Sequence, residues 1–267
     1  MTTISAAVVK ELRDKTGAGM MDCKRALVEA NGDMSDAIDN LRKSGIAKAE
    51  KKTGRTTKEG LIVASTDSSK LGVLTEILCE TDFASKSPAF QEFTAEVLQR
   101  VIETTGNGDV TEQVADAEKD NLTDKIAIIG ENMQIRRTVR WETEGTVASY
   151  LHMGGRIGVL VDVDGDVDDA FLSDLCMHIA AFNPPYISSD EIAKEAIEKE
   201  REIAKAQLAG KPENIIEKIL TGKINKWFSE VCLMNQPWIK DDKSSLSKIK
   251  PGVTVKRFVR WEIGEEL

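Results

Sequence analysis

At 267 residues, with 41% hydrophobic and 30% charged side chains, the chain is long enough for two or three modules with cores of their own. A formal charge of −9 argues against a nucleic acid as the main partner. The opening residues lack the charged, apolar and small-residue succession of a secretory leader, and the longest apolar runs, such as Ile157 to Val161, are strand-sized, so a cytoplasmic protein without a membrane partner is expected.

Residues 1–44 read as three short helices, with Val8, Val9, Leu12, then Met20, Met21, Leu27, then Met34, Ile38, Leu41 at helical spacing and breaks at Thr16-Gly17-Ala18-Gly19 and Asn31-Gly32-Asp33. Met20 and Met21 are adjacent, and two adjacent residues on a helix cannot both face one core, so core filling and a soft contact surface are both open. Residues 45–58 carry Lys48, Lys51, Lys52, Arg55 and Lys58 with few apolar side chains and read as a basic linker. We set the first unit, bundle plus linker, at residues 1–54.

Residues 55–140 form the first core unit. Its strand Gly72–Cys79 is apolar and β-branched, and Ser87-Pro88 reads as an N-cap followed by proline in the first turn of a helix through Val101. Between them, Asp82 and Phe83 stand on the connection. A phenylalanine there tucks into the core, the common case, or enters a partner. Residues 114–135 are helical by pattern.

The second core unit, residues 141–188, repeats the first. Glu59-Gly60 recurs as Glu144-Gly145, Gly72-Val73-Leu74 as Gly158-Val159-Leu160, and Ala89-Phe90 as Ala170-Phe171. One hairpin-plus-helix unit used twice can cover its own sheet faces, giving an α+β core of small antiparallel sheets with helices. Residues 189–230 read as an antiparallel helical hairpin inserted in that core, turning at Gly210-Lys211-Pro212, and such an arm suggests a protein contact. Residues 231–267 return to the core sheet, where Arg257-Phe258-Val259-Arg260-Trp261-Glu262 echoes Arg137-Thr138-Val139-Arg140-Trp141-Glu142.

Cys23, Cys79, Cys176 and Cys232 are scattered with no close pair, which fits buried reduced thiols and neither a zinc site nor a disulfide framework. His152 and His178 have no ligand at metal spacing, His178 reading as a core histidine and His152 as exposed beside the turn Met153-Gly154-Gly155-Arg156. Neither a nucleophile-elbow nor a phosphate-cradling loop occurs, so no nucleotide, metal or other cofactor of its own is expected. A multi-module protein-binding factor and an enzyme with unpaired carboxylates both survive; the repeat and the hairpin favour the binder. A module for nascent chains or RNA near the ribosome, working through the bundle and the basic linker, is the alternative.

Glu11-Leu12-Arg13 with Thr16-Gly17-Ala18-Gly19-Met20-Met21-Asp22-Cys23-Lys24, then Thr81-Asp82-Phe83, His152 to Leu160 and Met177-His178-Ile179-Ala180-Ala181, resemble the signatures and core segments of bacterial elongation factor Ts. The resemblance runs from Ile4 to Glu265. It implies a guanine-nucleotide exchange factor, without covalent chemistry, that binds elongation factor Tu carrying GDP or no nucleotide. It implies an N-terminal bundle of ubiquitin-associated-domain type and a hairpin that pairs two copies or two heterodimers. It further implies that Thr81, Asp82, Phe83 and Ala84 disturb the partner's magnesium and phosphate loop. Leu12, Arg13, Met20, Met21, Ile129, Gly130, His152 and His178 are then partner-binding positions. Ala84 stands where members often have valine, which trims the apolar wedge.

Overall fold

The protein is described here by a computed structural model covering residues 4–208 and 212–266. Ser5 caps helix α1 (Ala6–Thr16) by accepting the Val8 N–H, and Gly17, at φ 65°, ends it in left-handed backbone. Helix α2 (Met20–Glu29) and helix α3 (Met34–Glu50), capped by Asp33, complete the bundle around Val9, Leu12, Cys23, Ala26, Leu27 and Ala37. Helix α3 continues six residues into the expected linker. Gly45 and Ala49 explain this: both are buried, and a Cβ on Gly45 would stand 3.3 Å from Ala127 on a later helix. Small residues let two backbones approach there, and packing rather than propensity extends the helix.

Strands β1 (Glu59–Ser68) and β2 (Leu71–Cys79) form an antiparallel hairpin, followed by the single turn α4 (Asp82–Ser85) and helix α5 (Pro88–Glu103). Ser87 caps α5 as its sequence requires, accepting from Phe90 N–H. The short strand β3 (Gly108–Asp109), helices α6 (Thr111–Ala117) and α7 (Lys119–Ile129), and strand β4 (Met133–Glu142) complete an antiparallel sheet of order β1-β2-β4-β3. The helix expected over 114–135 is broken at Glu118 and stops at Gly130, whose φ of 86° is a left-handed cap. Met133 and Ile135 belong to β4 instead, where both are buried with Phe90, Phe93, Val97 and Val101 of α5.

The second unit repeats the plan. Strands β5 (Thr146–His152) and β6 (Ile157–Asp164) lead into helix α8 (Asp169–Phe182), capped by Asp168. Helices α9 (Lys194–Ala206) and α10 (Glu213–Val231) then pack on each other through Ala204, Leu208 and Leu220. Gly210 and Lys211 of the expected turn lie outside the described residues. The pair is an insertion, because Leu233 N–H donates to Tyr186 C=O and Met234 N–H to Ile187 C=O, joining its exit to its entry. The ribbon β7 (Pro237–Trp238) and β8 (Asp241–Ser245), the turn α11 (Leu246–Ile249) and strand β9 (Thr254–Glu262) finish the chain, β9 pairing with β6 in a sheet of order β5-β6-β9.

The two sheets meet face to face around Ile62, Leu74, Val139, Trp141, Leu160 and Trp261. Matched glycines permit the approach. A Cβ on Gly72 would stand 2.8 Å from Leu160 and 3.1 Å from Val147; one on Gly158 would stand 3.0 Å from Leu74 and 2.4 Å from Ile62. Each glycine is opposite a tryptophan on the neighbouring strand, Trp141 and Trp261 respectively. Each half also lends an arginine to the other's tryptophan: Arg137 lies 4.6 Å over Trp261, and Arg257 4.6 Å over Trp141. Both guanidiniums are anchored by buried carboxylates, Glu76 and Asp162. The architecture is the α+β class with small antiparallel sheets that the repeat implies.

Candidate protein-contact surface around Phe83

Thr81 begins α4 as its N-cap, its hydroxyl accepting from Ala84 N–H. Successive helical residues diverge by about 100°, so α4 buries Ala84 in the first core and turns its neighbour Phe83 outward. Phe83 is 82% exposed, the largest value among the exposed large hydrophobic side chains of the described residues. Of the two fates open to this phenylalanine, burial in its own core is excluded. Asp82, half-exposed, pairs with Lys86 at 2.7 Å, and that ammonium holds its carboxyl below the usual value.

A single turn cannot hold itself against solvent, and α4 is held from outside. One carboxylate oxygen of Glu131 accepts from Glu80 N–H at 3.1 Å and Thr81 N–H at 2.9 Å, and its other oxygen accepts from the Thr81 hydroxyl at 2.6 Å. Glu80 returns the exchange by accepting from Asn132 N–H at 2.6 Å. The Asn132 amide donates onward to the carbonyls of Arg55, at 2.8 Å, and Thr53, on the segment arriving from the helical bundle. Ile129 and Gly130, which end α7, directly precede this brace in the chain. Burial pushes the Cys79 thiol below this turn up to about 12, so it is an inert donor to Thr81 C=O.

The bundle leans on the same helix. Gly17 lies against Ile128, with a Cβ there 3.3 Å from the Ile128 side chain, and Arg42 pairs with Asp120 of α7 at 2.8 Å. Arg13 is exposed, and Met20 and Met21 are 43% and 71% exposed. This settles the choice between core and surface for the methionines in favour of surface. Leu12 is fully buried behind them. It shapes the bundle and cannot itself be touched from outside.

His152 lies apart, at the end of β5, exposed, with Nδ1 3.1 Å from the Tyr150 hydroxyl. It lines a shallow groove of about 440 Å³ with Met153, Met177, Ala181 and Ile239. His178 is the core histidine its apolar helix suggests: it is fully buried in α8, 5.1 Å from the Trp238 ring in a stacked arrangement, so any part it plays in partner binding is indirect. Its Nε2 faces the Gln236 carbonyl at 3.0 Å, and Gln236 Nε2 donates to Glu230 C=O. The amide orientation so fixed makes Nε2 the protonated nitrogen and leaves Nδ1 without a partner. Burial lowers its pKa below 6.5, so at neutral pH it is an uncharged joint between α8 and the root of α10.

Glu131 and Asn132 escaped the sequence reading. Their one signal is position: a glycine, an acid and an amide between an apolar helix and an apolar strand, where capping side chains are common. Among the described residues, no group of three or more His, Cys, Asp or Glu side chains could hold a metal, and no helix is long and apolar enough to cross a membrane.

The chain is similar to proteins of known family over nearly all of its length. The family described as Elongation factor TS matches residues 80–265. The Elongation factor Ts of Halothermothrix orenii is 43% identical over 277 residues, spanning 98% of this chain and 93% of that protein. The Elongation factor Ts of Clostridium botulinum is 44% identical over 284 residues, with the same coverage.

Proposed function

This chain belongs to the elongation factor Ts family, and on that premise we propose that it is a guanine-nucleotide exchange factor for elongation factor Tu. It binds the GDP form, promotes release of GDP by disturbing the magnesium and phosphate-loop region, and leaves the partner free to take GTP. It makes and breaks no covalent bond and works in the cytoplasm. The observation that carries the reading is Phe83, a large apolar side chain held out in solvent by a braced turn.

Thr81, Asp82, Phe83 and Ala84 act together in this reading. Phe83 enters an apolar crevice between partner helices, Ala84 anchors the turn from below, and the Asp82 carboxylate repels the nearby phosphate and competes with it for its cation. Arg13, Met20 and Met21 engage the nucleotide domain, methionine adapting its shape to the partner. Ile129, Gly130 and His152 extend the contact, while Leu12 and His178 support it from the interior. The α9–α10 pair, which exposes Ile203 and Ile215, joins two copies or two heterodimers. An exchange factor is an allosteric ligand: the factor by which it weakens GDP binding is the factor by which GDP weakens its own.

Release of fluorescent GDP from elongation factor Tu, in excess unlabelled GDP, tests the proposal. Saturable acceleration on adding this protein is the expected result. Unchanged release with both proteins folded would refute it.

A further inference from the structure

We propose that Glu131 is a positioning residue for nucleotide exchange, its carboxylate holding the Phe83 tip in the orientation that enters the partner. The inference rests on the exchange reading above and adds to it the device that aims the tip.

The turn α4 has little structure of its own. Its local bonds are few and span four residues: Ser85 N–H to Thr81 C=O at 3.3 Å, the Thr81 cap on Ala84 N–H, and the Asp82–Lys86 ion pair. Nothing in residues 80–83 alone fixes the direction of Phe83, whose side chain makes little contact with its own protein. Burial of Ala84 turns Phe83 outward, and a residue about fifty positions further along holds the start of the turn, through three hydrogen bonds to one carboxylate. Bonds to an ionised acceptor are stronger than neutral ones. Those to Thr81 fall on the N-cap of α4, so they fix where the turn starts as well as holding it.

The neighbouring exchange between Glu80 and Asn132 gives the brace a second arm. Through the Asn132 amide it holds the carbonyls of Thr53 and Arg55, so the segment leading from the methionine-bearing bundle is tied to the same corner. The bundle also rests on Ile128, two residues before Gly130. Two contact elements, Phe83 and Met20–Met21, are thus referenced to one junction at the end of α7. A tip already fixed in its docking direction loses less freedom on binding than a mobile one. Because its insertion is needed to loosen the nucleotide, the loss on freeing it falls on the maximal release rate more than on half-saturation.

The test measures release of fluorescent GDP from elongation factor Tu over a concentration series of four full-length proteins: wild type, Glu131→Ala, Phe83→Ala and the double variant. Glu131→Ala is expected to lower the maximal rate about tenfold, the order expected for one charged hydrogen-bonded anchor. Glu131→Gln, which keeps a carbonyl acceptor for the two N–H groups, should recover most of that loss. In the Glu131→Ala background, Phe83→Ala should cost distinctly less than it does in the wild type, because an unaimed tip has less to lose. Equal cost in both backgrounds, or a wild-type rate in Glu131→Ala while Phe83→Ala is slow, overturns the inference and leaves the exchange reading standing. A normal rate in Phe83→Ala overturns both. If Glu131→Ala melts early, Glu131→Asp, which withdraws the carboxylate from Glu80 and Thr81 by one methylene and leaves the Thr81 cap on Ala84 N–H in place, carries the same comparison, with a slowed rate expected and a wild-type rate overturning it.

Discussion

Replacing Phe83 with alanine separates an interface residue from a core residue by two measurements. Full burial of a phenylalanine is worth about 1.5–3 kcal/mol. Since 82% of this side chain is exposed in the free protein, nearly all of that is still available to a partner, roughly 1.2–2.5 kcal/mol. At about 1.4 kcal/mol per decade, the variant should release GDP roughly 8- to 60-fold more slowly than wild type at equal concentration. By reciprocity, the preference of this protein for nucleotide-free over GDP-bound partner should shrink by the same order. Stability should be nearly untouched: an exposed site contributes within about 0.5 kcal/mol, a shift in melting temperature of at most about 2 °C. Phe90→Ala is the internal contrast. Phe90 is fully buried, and its truncation should cost about 3–5 kcal/mol of stability. Stopped-flow release and a thermal melt of each variant suffice. A collapsed melting temperature in Phe83→Ala, or an unchanged release rate, would refute the reasoning.

Gly158→Ala should destabilise by about 1–3 kcal/mol because its Cβ would meet Ile62 at 2.4 Å in the closed face between the sheets; Gly222→Ala, on α10 with open space around it, should instead stabilise by up to about 1 kcal/mol. A melting temperature for Gly158→Ala equal to wild type would mean the sheets do not meet at that glycine. His178 has its pKa lowered by burial, so the unfolded chain binds the proton more readily than the folded one. Its contribution is therefore complete above the unfolded value of 6.5 and is lost as pH falls through it. Melting temperature between pH 7.5 and 5.5 should fall more steeply for wild type than for His178→Gln, and parallel slopes would contradict the burial. All four cysteines are buried, with the Cys79 and Cys176 thiols pushed up to about 12. A colorimetric disulfide reagent at pH 8 should react slowly with the native protein and fully after denaturation, whereas a rapid native burst would place a thiol at the surface.

Much of this molecule is written in local signals. Ser87-Pro88 starts a helix where those residues say, and the repeated Glu-Gly and Gly-Val-Leu pairs mark two hairpins that cover each other. The failures share a cause. Helix α3 outruns the bundle into residues read as a basic linker, because Gly45 and Ala49 are small in a place where α7 comes close, which charge and scarce apolar side chains do not reveal. The pattern over 114–135 is apolar enough for either state at Met133 and Ile135, and only pairing with β2 decides for strand. At the site, composition singles out Phe83 but is silent on Glu131, whose role depends on a contact across the chain. His178, by contrast, is legible as a core histidine from the apolar helix around it, and the fold encloses it.

The reciprocal arginine-on-tryptophan arrangement has a consequence for how the protein is made. The first half leaves the ribosome with Trp141 uncovered and Glu76 facing Arg136 and Arg137 across an unfinished sheet surface. Its cover, Arg257 and Trp261, is synthesised last, and Arg137 finds Glu265 128 residues away in the chain. Loop closure over such a span is slow compared with local helix formation. Strand β6 can cover Ile62 and Leu74 earlier, but the part of the face that β9 closes waits for the last residues, so the halves are expected to acquire full protection from proteolysis together, once strand β9 is released.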